Sequence, residues 1–137
     1  MDITQFHQYV GETIMFCQCI ENDIKYIFSA MKFGDFNSNF NLIKKWTLGK
    51  TITELQLLDN SDNDPFFSTL DYQLLNEITG IRNHWAHKGY ILFVYEKEPR
   101  TSSVFSKQSK RLLNDHGRLE KLSDKIEQVR LDFLRSL

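Results

Sequence analysis

"ITQFHQYVGETIMFCQCIENDIKYIFSAM", residues 3 to 31, contains no proline and a single glycine. Its apolar residues Ile3, Phe6, Val10, Cys17, Ile20, Ile24, Ile27 and Met31 follow alternating steps of three and four, interrupted only at Thr13. That period draws one apolar stripe along a helix. At 1.5 Å per residue such a helix is about 43 Å long. One small domain cannot cover all of it, so the stretch predicts an all-α protein that is an elongated bundle or a dimer.

The rest of the chain fits this frame. Its 137 residues suit one domain, residues 1–137, with a core that needs neither disulfide nor metal. Two prolines and six glycines are few for a turn-rich β architecture. Gly34 with Asn37, Asn39 and Asn41 predicts a loop, pinned to the core by Phe33, Phe36 and Phe40. Thr47 reads as the N-cap of a short helix, "TLGKTITELQLL". "DNSDNDP", from Asp59, begins like a calcium loop but has Asp64 where glycine is needed and Leu70 where glutamate is needed; it reads as a solvated turn. From Phe66 a further helix carries Phe67, Leu70, Leu74, Ile78, Ile81 and Trp85 on one stripe. Gly89 permits a break, after which "YILFVYE" suits a short strand or a helical extension. "TSS" at 101–103 offers caps for a last long helix, where Leu112, Leu119, Ile126 and Phe133 recur every seven residues, continuing across Gly117. The expectation is a bundle of four to five helices with long first and last members.

No run is long and apolar enough for a membrane span, and no signal-peptide pattern is read at the N-terminus. Cys17 and Cys19 would point to different sides of a helix, and free thiols suit a reducing cytoplasm. A net charge of −1 excludes a protein that grips nucleic acid by overall positive charge. RNA would be held by a local patch, or briefly, as substrate. Lys44, Lys45 and Lys50 around Trp46 read first as a solvated loop, with RNA contact by charge and stacking as the alternative.

The polar residues converge on "RNHWAHKGY", residues 82–90, which holds two of the four histidines. An arginine, an asparagine and a histidine at this spacing arise by chance in roughly 0.01 shuffled chains. "LLNEITGIRNHWAH" resembles the signature segment of HEPN domains, small all-α proteins with an Arg-x4–6-His motif at a helix end. "TLGKTI" and "CIENDIKYIF" are similar to matching segments of that superfamily, and the resemblance covers roughly residues 10–90. Many HEPN proteins are metal-independent ribonucleases, often toxins or phage-defence effectors that act as dimers. By that resemblance Arg82 and His87 take the catalytic positions and Asn83 the polar one after the arginine. Glu21, or else Asp23, takes the acidic position on the first helix. Tyr90 stands third after His87, one place later than the tyrosine of some toxin subfamilies. RNA is the implied substrate, a homodimer the implied assembly, an antitoxin a possible partner, and no cofactor is implied.

The chemistry stands without the family. Each phosphate of RNA lies beside a 2′-hydroxyl, so cleavage needs a group titrating near neutrality and a fixed cation for the phosphoryl oxygens. Histidine suits the first task and arginine the second. No cluster of Cys, His, Asp and Glu has metal-ligand spacing. On a regular helix Arg82 lies about 40° from Ile78, at the edge of the stripe, while His87 points away from it. Asn83 and His87 share a face. The pair therefore converges only if the helix unwinds near Gly89 or a second chain supplies its own pair. The blander alternatives are an Arg82 that pairs with Glu77 or Glu21, His84 as a surface or substrate-edge residue, and solvated His7 and His116. At the level of the whole protein they are a non-catalytic HEPN-like nucleotide- or RNA-binding or regulatory subunit and a structural helical dimerisation module.

Overall fold

The computed structural model describes residues 1–99 and 102–136. These form five helices and no strand: α1 (Ile3–Met31), α2 (Phe36–Ile43), α3 (Leu48–Asn60), α4 (Thr69–His87) and α5 (Ser103–Ser136). The protein is all-α. Thr101, one of the expected caps, lies outside the described residues, but Ser102 does the work: its Oγ accepts from the Phe105 N–H at 2.9 Å. Among the described residues no helix is long and apolar enough to cross a membrane.

Local chemistry explains each helix start. Asp2 and Gln5 form a reciprocal capping box on α1, with Gln5 N–H donating to Asp2 Oδ1 at 2.8 Å and Asp2 N–H to Gln5 Oε1 at 3.0 Å. Ser68 and Asp71 repeat the device on α4. Thr47 caps α3 by accepting from the Lys50 N–H at 3.2 Å. The expected loop after Gly34 is a correction: Asp35 caps it and residues 36–43 are helical. Gly34 itself takes φ +112°, the left-handed turn that ends α1. Asn39, buried on α2, donates to the carbonyls of Ser29 and Lys32, which the end of α1 leaves without helical partners. Phe33 does not pin anything; it is 99% exposed.

The chain divides into two compact units, one of Met1–Gln18 with Glu77–Lys121 and one of Cys19–Asn76 with the residues from Leu122 onward. Helices α1, α4 and α5 each contribute to both. In the first unit the core is aromatic. The ring of Phe6 meets those of Tyr90, Phe93 and Phe105 with centroids 5.3 Å away in each case, and Trp85 edge-on at 6.0 Å. Phe93 is the buried member of "YILFVYE", which is neither strand nor helix but a run of turns, with Val94 N–H bonded to the Tyr90 carbonyl. One inward ring among exposed Ile91, Leu92, Val94 and Tyr95 fits no helical or strand period.

The second unit buries Ile20, Ile24 and Ile27 of α1, Ile52 and Leu55 of α3, and Leu122, Ile126 and Val129 of α5. The seven-residue pattern in α5 therefore faces the core, and the helix runs unbroken past Gly117. Leu70, expected on the α4 stripe, is 74% exposed; Tyr72 and Leu75 are buried in that turn instead. The "DNSDNDP" turn is solvated except at its first residue. Asp59 is buried and accepts from Phe66 N–H, Phe67 N–H and the Tyr72 hydroxyl, at 2.8, 3.1 and 2.7 Å. Three donors satisfy a buried carboxylate and fix the α3–α4 connection. Cys17 is buried and Cys19 exposed, both as thiols.

Candidate functional site

The motif stands on the last turns of α4, in the first unit. The helix stays regular through His87 and then stops, with the N–H groups of Lys88 and Gly89 both bonded to the His84 carbonyl at 2.8 Å. Gly89 is required there, because a Cβ would stand 2.5 Å from Cε3 of the Trp85 ring. Trp85 is the anchor of this end. It is buried, and its indole N–H donates to Asp115 Oδ2 at 2.9 Å. Around that anchor Arg82 is half-buried, while Asn83 and His87 are exposed. The helix does not unwind before His87, so Arg82 and His87 remain five positions apart on a regular helix, about 140° around its axis.

The other expected participants have definite partners. His84 is not an open surface residue. It is half-buried, donates from Nε2 to Gln108 Oε1 at 2.9 Å and stands edge-on to Trp85. Tyr90 shares a 2.6 Å hydrogen bond with Nδ1 of His7, and the two rings stack at 5.3 Å. Burial pushes the Tyr90 phenol above its ordinary pKa, so it stays protonated at neutrality. Together they line a cavity of about 500 Å³ with Ile3, Phe93 and Val94. His7 is exposed, as expected, but not isolated: its partner is 83 positions away and nothing local signals it. Glu21 is half-buried and belongs to the second unit. Asp23, the alternative acid, pairs with Arg130 at 3.3 Å, and burial raises its pKa despite that cation.

His116 is also a correction. It is 8% exposed, sits against the rings of Tyr9 and Phe16, donates from Nε2 to Glu12 Oε2 at 2.7 Å and has Glu120 Oε2 at 3.6 Å from Nδ1. The hydrogen bond from His116 holds the Glu12 carboxyl below its ordinary pKa, helped by one from Gln8 and only partly opposed by burial. A carboxylate with a depressed folded pKa contributes stability above its unfolded value of 4.5, and loses it as pH falls through the lower folded value. Thermal unfolding of wild type and Glu12→Gln should therefore differ most at neutral pH and converge as the solution is acidified below about 4.5. Two melting curves that stay equally separated throughout the acid range would show that the Glu12 charge contributes nothing.

Among the described residues, no group of three or more His, Cys, Asp or Glu side chains is placed to hold a metal ion. Compared with known proteins, the chain matches no family model, and no curated protein or solved structure matches it.

Proposed function

We propose that the protein is a metal-independent endoribonuclease of HEPN type, which cuts RNA in a cleft formed by two copies of the chain. The observation that supports this best is the end of α4. A half-buried arginine and an exposed histidine stand on a rigid helix terminus, held by a buried tryptophan, and they diverge by about 140° within one chain. In a two-fold pair of facing α4 helices, the Arg82 of one chain and the His87 of the other line a common cleft. Exposed Ile91, Leu92, Val94 and Tyr95, which follow the motif directly, supply apolar surface for such a contact.

In the reaction His87 takes the proton of the 2′-hydroxyl, whose oxygen attacks the adjacent phosphorus. The bond to the 5′-oxygen breaks and that oxygen takes a proton from solvent water, leaving a 2′,3′-cyclic phosphate and a 5′-hydroxyl; the protonated His87 then returns its proton to solvent. Arg82 neutralises the charge that grows on the phosphoryl oxygens. Asn83, four residues before His87, orients the imidazole. Two Arg82 side chains give the cleft positive potential in a chain of net charge −1. An unrestrained ribonuclease of this kind damages its own cell, which fits a toxin or phage-defence effector restrained by an inhibitory partner.

Mixing His87→Ala with Arg82→Ala protein tests the composite cleft. Each variant alone should be inactive, and their heterodimers should recover cleavage because the shared cleft then keeps one Arg82 and one His87, from opposite chains. Full activity in a protein that remains monomeric at working concentration would remove the shared cleft.

A further inference from the structure

The second unit carries a groove that the α4 site does not use. It is a cavity of about 360 Å³ whose walls include Phe28, Phe33, Trp46 and Leu57, with Lys32 and Glu54 at its polar edge. Two features set it apart from an ordinary gap between helices. The first is aromatic exposure: Phe33, raised on the left-handed Gly34 turn, is 99% exposed, and Trp46 is half-exposed beside it. A phenylalanine this open does nothing for the core. The second is charge. Residues 25–56 contain Lys25, Lys32, Lys44, Lys45 and Lys50 against Asp35 and Glu54, an excess of three positive charges in a chain whose total is −1. Two of the lysines stand over the tryptophan, Lys50 Nζ at 4.4 Å and Lys32 Nζ at 6.0 Å from the Trp46 ring centroid; Lys44 and Lys45 precede it in the chain, and Lys25 donates to the Lys44 carbonyl.

We propose that this groove docks single-stranded RNA, with one base stacked between Trp46 and Phe33 and the neighbouring phosphates on Lys32, Lys44, Lys45 and Lys50. An arriving base takes the place of the Lys50 ammonium over the indole, and the displaced lysine is then beside the strand's phosphates; a π-surface with ammonium groups at hand matches a strand that alternates bases with phosphates. An acidic peptide would satisfy the lysines but leave the aromatic walls unused, and a second copy of this chain would bring like charge against like. The groove is an exosite: its residues bind the substrate strand and take no part in cutting it. In that role it rests on the ribonuclease reading, although the binding itself does not.

The test uses a short fluorescein-labelled single-stranded RNA and protein carrying His87→Ala, so that binding is measured without cleavage. In that background Phe33→Ser and Trp46→Leu should each weaken binding by about 5- to 100-fold, the loss that accompanies one stacked base. Lys44→Gln with Lys45→Gln should weaken it as well and flatten its salt dependence. Phe33→Ser cannot unfold the protein through lost packing, so it keeps the test decisive if Trp46→Leu folds poorly. Unchanged affinity in Phe33→Ser overturns the proposal, as does equal competition by a glutamate-rich peptide. If the groove variants lose RNA while the chain with His87 intact never cleaves, the docking site stands and the ribonuclease reading falls. If Phe33→Ser binds RNA like its parent and the chain with His87 intact cleaves, the reverse holds.

Discussion

His87→Ala is expected to reduce RNA cleavage by about 10²- to 10⁴-fold, the usual contribution of a positioned acid–base group. The fold should be untouched. His87 is exposed, its helix is ended by backbone bonds to the His84 carbonyl, and the anchor beneath is Trp85. An exposed polar side chain with none of these duties changes stability by about 0.5 kcal/mol or less when removed. The measurement is cleavage of total RNA by purified protein in the presence of chelator, beside an unfolding curve for each variant. Wild type should cut under those conditions, because in the proposed reaction histidine and arginine between them supply the acid–base group and the cation. Equal cleavage by wild type and His87→Ala would end the assignment. If neither protein cleaves and both bind RNA, a binding or regulatory role replaces it.

Trp85→Ala should be the most destabilising single change near the motif, by about 3–5 kcal/mol. A small domain has only about 5–15 kcal/mol in all. The side chain is 1% exposed and touches the Phe6 ring, the His84 ring and the Gly89 backbone, with the Arg111 guanidinium 5.9 Å from its centre. Its loss also strips Asp115, 5% exposed, of a 2.9 Å hydrogen bond, leaving that carboxylate to Arg111 and Arg118 at 3.8 Å each. Trp85→Phe separates the two effects. It keeps a ring but removes the donor, and a hydrogen bond to a charged group is worth about 1.5–3 kcal/mol. Urea unfolding of the three proteins should rank them wild type, Trp85→Phe, Trp85→Ala. A Trp85→Phe protein as stable as wild type would mean that Asp115 finds another donor.

Periodicity carried much of this fold. The alternation of three and four in residues 3–31 marked both ends of α1, and Thr13 did not break the stripe because it is itself fully buried, although its hydroxyl has no hydrogen-bond partner there. The heptads of α5 were equally plain. Where reasoning failed, the cause was an interaction without local signature. Three asparagines argued against a helix at residues 36–43, since asparagine is a weak helix former; yet Asn39 is there to satisfy the exposed carbonyls of α1. His116 lies four after Leu112 and three before Leu119, so its place on the core stripe was readable, but Glu12, its partner, is 104 positions away. The same distance problem hid His7 behind Tyr90. Arg82, Asn83 and His87 were visible because a motif is local. The orientation of His84 toward Gln108 was not.

The two tryptophans fall one to each unit, Trp85 sealed in the first and Trp46 half-open in the second. Each unit therefore carries its own light source, and the two differ in colour: a buried indole emits toward the blue, a hydrated one toward the red. A Trp46→Phe protein reports only the first unit, and Trp85→Phe only the second. Whether the halves melt together can then be settled without any label, by asking whether each emission change coincides with the loss of helix signal in its own variant, as a single cooperative transition demands.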